Sequence, residues 1–148
     1  MAFKMKVKIK NIDDLIFADY NPRILTKDQH KDLTDSLTRF GFVDPVIINI
    51  HSSRKNMIIG GHQRTRVWKS MGHRSVPCVE VDLTLEMEKE LNVRLNKNVG
   101  SWDHDMLANN FDLDELKQWG FDDKDLFHKI DDLDPEKDPK EKCEHCGK

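Results

Sequence analysis

The sequence predicts an α/β (α+β) fold, in which helices surround a mixed sheet and a small helical subdomain follows at the C-terminal end. Three observations support this prediction. The first residues alternate apolar side chains with lysines, as an amphipathic strand does. A later apolar run leads through two glycines into a helical pattern. Beyond Gly100 the pattern consists of short helices, each begun by an aspartate.

The N-terminal strand and the first helix have clear local signals. Alternation with lysines predicts a strand with one buried apolar face. A bend at Asn21-Pro22-Arg23 follows, because proline disfavours helical geometry in the residue before it. Thr26 and Gln29 then form a capping-box pattern, and Gly41 ends the predicted helix. The apolar positions of the strand are Phe3, Met5, Val7 and Ile9.

Three further strands and two further helices complete the predicted α/β part. Apolar runs over residues 46–50 and 57–59 flank a polar turn and predict a β-hairpin. A helix over residues 62–71 comes next, then a strand over residues 76–81 with Pro77 near its start. The last helix of this part extends from a cap at Thr84 to about residue 96, with Met87, Leu91 and Leu95 as its apolar positions.

Composition divides the chain into three parts. Residues 1–100 are the predicted α/β domain, and residues 101–130 are a helical appendage with caps at Asp103, Asp112 and Asp122. The aromatic residues of the appendage are expected to form its core rather than platforms for stacked bases. Residues 131–148 form an acidic tail that is expected to be disordered in isolation. The aromatic residues are Trp102, Phe111, Trp119 and Phe121.

Charge is distributed unevenly along the chain. Residues 1–80 hold 14 Lys and Arg against 8 Asp and Glu, a net of +6, and the remaining residues hold 10 against 19, a net of −9. The cationic part suits a small anion, whereas the acidic part repels a long DNA backbone. No stretch reaches the ~20 apolar residues of a membrane span, and three cysteines indicate no disulfide framework. A cytoplasmic protein without a membrane partner is therefore expected.

The segment Gly60-Gly61-His62-Gln63-Arg64 carries the predicted chemistry. Two glycines between a strand and a helix let the backbone approach a ligand, and the free N–H groups at the helix start favour negative charge. Arg64 and Arg66 lie on the first turns of that helix, and Arg23 is predicted to close the other side. The segment therefore predicts a phosphate site; the alternative is a tight packing turn with solvated arginines.

Together with Asn21-Pro22-Arg23, the segments over residues 41–46, 59–66 and 76–77 make the chain resemble the ParB N-terminal domain of the ParB/sulfiredoxin superfamily. The resemblance spans roughly residues 7–100. It implies the superfamily's fold and a pocket for a nucleotide triphosphate or diphosphate at the glycine turn. Members include nucleotide-hydrolysing DNA-segregation clamps, sulfiredoxins, a free-serine kinase and domains described as ParB-like nucleases. Fold alone does not select among these activities.

The glycine turn departs from these relatives. ParB clamps have Gly-Glu-Arg-Arg where this chain has Gly61-His62-Gln63-Arg64, which argues against CTP hydrolysis of the ParB type. Sulfiredoxins have Gly-Cys-His-Arg there, and this chain lacks the nucleophilic cysteine, so sulfiredoxin activity is not expected. His62 is interpreted as a general base, a helix-start donor to phosphate, or an exposed histidine. Asp44 is the candidate catalytic partner, or else it braces the loop before Pro45.

A third ParB motif pairs Glu with Asn to hold magnesium, and its counterpart here is Lys97-Asn98. Lys97 is predicted to contact a phosphate directly, since its ammonium supplies the countercharge; a solvated lysine at a helix end is the alternative. Mg²⁺ is one candidate cofactor. The full predicted phosphate-binding set is Gly60, Gly61, His62, Gln63, Arg64, Arg66, Arg23, Lys97 and Asn98.

Cys143 and Cys146 have the spacing of one zinc knuckle. Four ligands are needed and the chain shows half of them. Zn²⁺ is therefore expected only if the natural chain continues or if two copies pair as a homodimer. Cys78, inside a predicted strand, is interpreted as a small buried hydrophobe.

Residues 95–121 resemble ParB-like domains of phages and mobile elements, which are often fused to, or encoded near, a DNA methyltransferase. The leading hypothesis is a nucleotide-binding module of a DNA-modification or mobile-element protein, which reaches DNA through that methyltransferase. The enzymatic alternatives are a nucleotide hydrolase, a DNA nuclease, and a nucleotide-dependent transferase or kinase. The loss of acidic residues at His62 and Lys97 weighs against the nuclease. A non-catalytic interaction domain would expose Trp102 and Trp119 in one patch.

Overall fold

The computed structural model describes residues 5–97 and 100–127. The chain divides into two compact units, Met1–Ser101 and Trp102–Lys148. The described part contains no helix with the length and apolar character needed to cross a membrane. Asn98 and the whole segment from residue 128 onward, including the predicted acidic tail, Cys143 and Cys146, lie outside the described residues.

A four-stranded mixed sheet forms the centre of the first unit, which confirms the predicted fold class. Its spatial order is β1-β4-β2-β3. The central pair, β2 and β4, is parallel, and the other two pairs are antiparallel. The predicted hairpin is confirmed as β2 and β3. The strands are β1 (Val7–Asn11), β2 (Val46–Asn49), β3 (Met57–Gly60) and β4 (Ser75–Val81).

Three α-helices accompany the sheet: α1 (Lys27–Phe40), α2 (His62–Ser70) and α3 (Leu85–Lys97). The predicted capping box of α1 is confirmed. The Thr26 hydroxyl accepts a hydrogen bond from the Gln29 N–H at 3.2 Å, and the Gln29 side chain accepts one from the Thr26 N–H at 3.0 Å. Gly41 follows α1 with a φ of 76°, which suits a glycine at a helix end.

One face of the sheet forms the main core. Phe17, Phe42 and Trp68 pack against this core as partly buried aromatic residues. Cys78 is fully buried, as predicted, and burial raises the pKa of its thiol to about 11. The buried residues of this core are Ile12, Leu15, Val46, Ile48, Ile58, Val76 and Cys78.

Strand β1 faces the opposite way from the prediction. Val7 is 54% exposed and Ile9 is 71% exposed, so the expected burial of the apolar row was wrong. Register explains the reversal: Lys8 pairs with Cys78 and Lys10 with Val76, and directly paired residues share a face of the sheet. The lysines therefore lie on the core side at the sheet edge. Their ammonium groups reach the carboxylate of Glu80 at 3.0 and 2.9 Å.

The second unit contains α4 (His104–Asn110), α5 (Leu113–Gln118) and α6 (Asp123–Phe127). The three predicted aspartate caps are confirmed, since each carboxylate accepts a backbone N–H at the start of its helix. The predicted aromatic core was wrong: Leu107 and Leu116 are buried, whereas Trp102 is 61% and Trp119 is 51% exposed. The aromatic rings instead contact one another in edge-on pairs, Trp102 with Phe121 and Phe111 with Trp119.

Candidate functional site

A cavity of about 290 Å³ lies where four segments of the first unit meet. These segments are the bend before α1, the residues before β2, the turn from β3 into α2, and the end of α3. Asn21, Leu33 and Asn96 also line the cavity. The predicted site residues that the structure brings together around it are Arg23, Asp44, Gly60, Gly61, His62, Gln63 and Arg64.

The start of α2 offers free backbone donors to this cavity. Gly61 is the N-cap residue with a φ of 98°, and among the described residues its position has no side-chain cap. The first hydrogen bond of the helix is donated by the Thr65 N–H to the Gly61 carbonyl at 3.0 Å. The N–H groups of residues 62–64 precede that bond and have no carbonyl of the helix to pair with. Such a helix start favours an anion.

Both glycines of the turn occupy positions that a side chain would crowd. A Cβ atom on Gly60 would lie 3.3 Å from the Leu95 Cδ1 atom of α3. A Cβ atom on Gly61 would lie 3.1 Å from the Arg64 Nη2 atom and 3.4 Å from a methyl group of Val46. The left-handed backbone of Gly61 disfavours other residues as well. Because these two residues have no side chains, the backbone itself forms this part of the cavity wall.

Arg64 is the half-buried cation of the cavity. Its Nη2 atom lies 3.4 Å from the Asp44 carboxylate and 3.5 Å from the Pro45 carbonyl oxygen. Burial lowers the pKa of the guanidinium; Asp44 raises it and the nearby charge of Arg23 lowers it further. Its Nε atom is buried and has no hydrogen-bond partner within the part of the chain that the structure describes. An acceptor from a ligand would satisfy such a donor.

Arg23 completes the cationic lining from the opposite segment. Its Nη1 atom donates to the Asn96 side-chain oxygen at 3.4 Å, and its backbone carbonyl accepts from the Gln63 side chain at 3.1 Å. The bend is therefore joined to both α3 and α2. Arg23 and Arg64 thus line the same cavity.

His62 is buried and its ring is already engaged. Its Nε2 atom accepts a hydrogen bond from the Ala18 N–H at 3.3 Å. Burial lowers the pKa of His62 to about 4, the charge of Arg66 adds to this effect, and Glu88 opposes it. The ring is therefore neutral at pH 7, with its free proton on Nδ1. Because the Nε2 lone pair is used, this geometry does not suit the general base considered from sequence; it leaves His62 as a helix-start backbone donor.

Two predicted residues, Arg66 and Lys97, do not line the main cavity. Arg66 is exposed, holds its guanidinium 5.0 Å from the centre of the Phe17 ring, and lines a neighbouring cavity that also contains Arg23 and Gln63. Lys97 is the exposed last residue of α3, and the preceding Asn96 takes the place at the cavity wall. Asn98 lies outside the described residues.

Sequence reasoning missed a buried polar face on α3. Two of the three apolar positions predicted from sequence, Met87 and Leu95, are exposed, whereas Glu88 and Asn92 are fully buried. Together with Asn96 they follow a spacing of four residues, which places them on one side of the helix. This spacing of polar side chains is the signal that the sequence contains, but charged and amide side chains usually face solvent.

Mg²⁺ in proteins takes oxygen ligands, usually with one or two carboxylates among them. Across residues 5–97 and 100–127, no three His, Cys, Asp or Glu side chains are grouped to hold a metal ion. Asp44 supplies the carboxylate of the described lining, and Arg64 already pairs with it. Among the described lining residues, the positive charge comes from the guanidinium groups of Arg23 and Arg64.

Comparison with known proteins gives a family and relatives. Residues 3–99 match the family described as ParB N-terminal domain. The ParB-like nuclease domain-containing protein YnaK of Escherichia coli (strain K12) is 27% identical over 90 residues, which cover 61% of this chain and 99% of that protein.

Solved structures share the fold at low identity. The chromosome-partitioning protein ParB from Caulobacter crescentus, C-terminally truncated and complexed with CTP-gamma-S, gives a TM-score of 0.60 at 17% identity, covering 77% of this chain and 70% of that one. Sulfiredoxin from Arabidopsis thaliana gives 0.50 at 15% identity, covering 58% and 96%. The Caulobacter protein complexed to the centromeric parS site gives 0.51 at 15% identity, covering 80% and 62%. These similarities establish the fold.

Proposed function

The chain belongs to the ParB N-terminal domain family, and from this premise we propose that it is a nucleotide-binding module. Its phosphate site is the cavity at the start of α2. Gly60 and Gly61 hold the backbone open, the N–H groups that follow donate to phosphate, and Arg23 and Arg64 supply the countercharge. The fold neighbour from Caulobacter crescentus, complexed with CTP-gamma-S, supports a nucleoside triphosphate as the ligand class.

The observation that carries the proposal is the convergence of Arg23 and Arg64 on an uncapped helix start. The two guanidinium groups come from segments 41 residues apart in sequence and line one cavity with the glycine turn. Like charges brought together are unfavourable unless an anion lies between them. Asp44 pairs with Arg64 alone, from an exposed position at the cavity wall. A polyanion fits this arrangement better than a neutral ligand does.

Isothermal titration with CTP, ATP, GTP and ADP, each with and without Mg²⁺, tests the proposal. Arg64→Ala is expected to weaken binding by about 10- to 150-fold, since a hydrogen bond to a charged group is worth roughly 1.5–3 kcal/mol. Arg66→Ala is the matched control, because Arg66 lies on the same helix but outside the cavity lining. No heat with any nucleotide, or equal losses in the two variants, would overturn the assignment.

The host context is a further part of the proposal. Residues 95–121 resemble ParB-like domains of phages and mobile elements, so we place this module in a DNA-modification or mobile-element protein, with DNA reached through a methyltransferase. Co-purification of the full chain with such a methyltransferase from the native host tests this part. If no methyltransferase co-purifies with the chain, this part of the proposal fails, and the proposed nucleotide site is unaffected.

A nuclease is the second candidate, because the relative YnaK is described as containing a ParB-like nuclease domain. The described lining, with its single carboxylate paired to Arg64, gives less support to metal-assisted cleavage. Supercoiled plasmid incubated with the protein and Mg²⁺ or Mn²⁺ separates the two candidates. Nicked or linear product that disappears in Arg64→Ala would favour the nuclease.

The exposed aromatic side chains of the second unit favour an additional interaction role. Trp102 and Trp119 are more than half exposed in a unit whose helices are short and acidic. Exposed aromatic side chains of this size are enriched at protein interfaces. Sedimentation velocity at rising concentration, for the wild type and for Trp102→Ser/Trp119→Ser, tests whether these side chains support a homodimer. Identical sedimentation of both proteins at every concentration would exclude that role.

A further inference from the structure

The carboxylate of Glu88 is fully buried and joins three segments of the first unit. Its Oε2 atom accepts from the Tyr20 hydroxyl at 2.6 Å and from the Arg54 Nη2 atom at 2.8 Å. Its Oε1 atom accepts from the Asn49 side chain at 3.0 Å and from the Arg54 Nε atom at 3.3 Å. Tyr20 directly precedes the bend at residues 21–23, Arg54 lies in the turn between β2 and β3, and Asn49 is the last residue of β2. Glu88 thus joins these three segments to α3.

These contacts keep Glu88 ionised in spite of its burial. Burial alone would raise the pKa of the carboxyl group, but the hydrogen bonds from Arg54, Tyr20 and Asn49 outweigh that effect and leave the pKa below its ordinary value. Hydrogen bonds to a buried charge are short and strong. A buried carboxylate with four donors is therefore a rigid point of attachment rather than an adaptable one.

The same face of α3 leads from Glu88 to the cavity. Asn92, one turn further along, donates to the Ile59 carbonyl at 2.8 Å, directly before the glycine turn. Asn96, another turn on, donates to the Asn92 carbonyl at 2.8 Å and accepts from Arg23 at 3.4 Å. The bend that carries Arg23 is therefore attached to α3 at two points. Tyr20 bonds to Glu88 at one end of the helix face, and Arg23 bonds to Asn96 at the other.

We propose that Glu88 and Tyr20 are positioning residues for the nucleotide site, which hold the bend against α3 so that the Arg23 guanidinium faces the cavity. Neither residue lines that cavity. Their effect on binding passes through Arg23, and the Arg23 contact with Asn96 is too long and exposed to fix the side chain by itself. The effect on ligand affinity rests on the proposed function.

A double-mutant cycle between Tyr20→Phe and Arg23→Ala tests this role, with CTP and inorganic tripolyphosphate as probes. Tyr20→Phe removes one hydroxyl and keeps the ring. We expect it to weaken binding of both probes about five- to tenfold in the wild-type background and to have no further effect once Arg23 is alanine. A purely structural role would give losses that add. Thr38→Val is the control, since it removes an exposed hydrogen bond of 2.8 Å from the Thr38 hydroxyl to the Thr34 carbonyl within α1.

Amide hydrogen exchange over residues 18–25 provides a readout that needs no ligand. Tyr20→Phe is expected to speed exchange in this segment, including the Asn21 N–H that bonds to the Ala18 carbonyl. Exchange in β2 and β4 should stay as in the wild type. Glu88→Gln is the second variant, because it keeps the shape of the side chain and removes its charge; it should speed exchange in the same segment.

The outcomes separate the two proposals. If the wild type binds CTP or tripolyphosphate, then undiminished binding by Tyr20→Phe, or additive losses in the cycle, overturns the positioning role. If only ATP, GTP or ADP binds, that nucleotide replaces CTP in the cycle. If the wild type binds none of these nucleotides and no tripolyphosphate, the proposed function fails, and amide exchange alone tests the attachment of the bend. Unchanged exchange over residues 18–25 in both variants then overturns the positioning role as well.

Discussion

The Nη2 atom of Arg64 lies 3.1 Å from the point that a Cβ atom on Gly61 would occupy. The glycine that lets the backbone turn from β3 into α2 therefore also leaves the space into which the arginine side chain folds back. Since Arg64 lies three residues after Gly61, one helical turn sets both positions. A side chain at Gly61 would thus disturb the backbone donors and the guanidinium together.

Replacement of Gly61 by alanine should reduce both stability and anion binding. A non-glycine residue at a φ of 98° is strained by roughly 1–3 kcal/mol, and the new methyl group must displace Arg64. Unfolding in urea gives the stability change, and titration with CTP or tripolyphosphate gives the affinity change. We expect a lower urea midpoint together with about tenfold weaker binding.

Gly72→Ala is a close control for this substitution. Gly72 has a φ of 96°, and a Cβ atom there would meet nothing within 4 Å. It should show the same backbone strain while leaving the cavity intact. Equal losses of affinity in the two variants would mean that global stability, and not the position of Arg64, governs binding.

Replacement of Asp44 by asparagine should strengthen anion binding. The Asp44 carboxylate is 71% exposed and lies 3.4 Å from the Arg64 Nη2 atom, where it competes with a phosphate for the same cation. An exposed ion pair is worth about 0.2–1 kcal/mol, so we expect up to about fivefold tighter binding. The gain should shrink as salt is added, because exposed charges are screened. Titrations at low and high salt measure both effects.

The same variant separates competition between Asp44 and the ligand from a role in which the Asp44 carboxylate is required. Weaker binding by Asp44→Asn at every salt concentration would show that the carboxylate is needed in the site. It would then act on the ligand or brace the loop before Pro45, which are the two roles predicted for Asp44 from sequence. Ser53→Asn is a neutral surface control on the turn between β2 and β3, outside the cavity lining.

The parts of the site that follow local rules could be predicted from sequence. The glycine turn, the helix that starts after it and the capping box at Thr26 each depend on a few consecutive residues. The convergence of Arg23 with Arg64 was predicted from the order of motifs and from the resemblance to the ParB N-terminal domain. The cavity that unites them is a tertiary feature that no single segment encodes.

The errors came from features that depend on long-range pairing. Alternation showed that β1 is a strand, but only its register with β4 decides that Lys8 and Lys10 lie on the core side with Glu80. Likewise, Glu88 is buried because Arg54 and Tyr20 reach it from distant segments. Hydrophobic periodicity cannot reveal a buried charge whose partners are 34 and 68 residues away.

Burial of neutral His62 should make the protein less stable in mild acid. The pKa of His62 is lowered from 6.5 to about 4 in the folded protein, mainly by burial, so between these values the unfolded chain binds the proton and the folded protein does not. The free energy of unfolding therefore falls as pH decreases from 6.5, by roughly 1.4 kcal/mol per pH unit. Urea unfolding at a series of pH values from about 5 to 7 measures this slope.

The His62→Gln variant isolates this contribution. Its side-chain oxygen can still accept from the Ala18 N–H, but the residue takes up no proton, so the slope between about pH 5 and 7 should become smaller. Glu88 does not interfere in this window. Its lowered pKa gives stability that is present above the ordinary value of 4.5 and is lost only as pH falls below it. His30→Gln, at an exposed position of α1, is the control. A slope that persists in His62→Gln and disappears in His30→Gln would place the titrating group elsewhere.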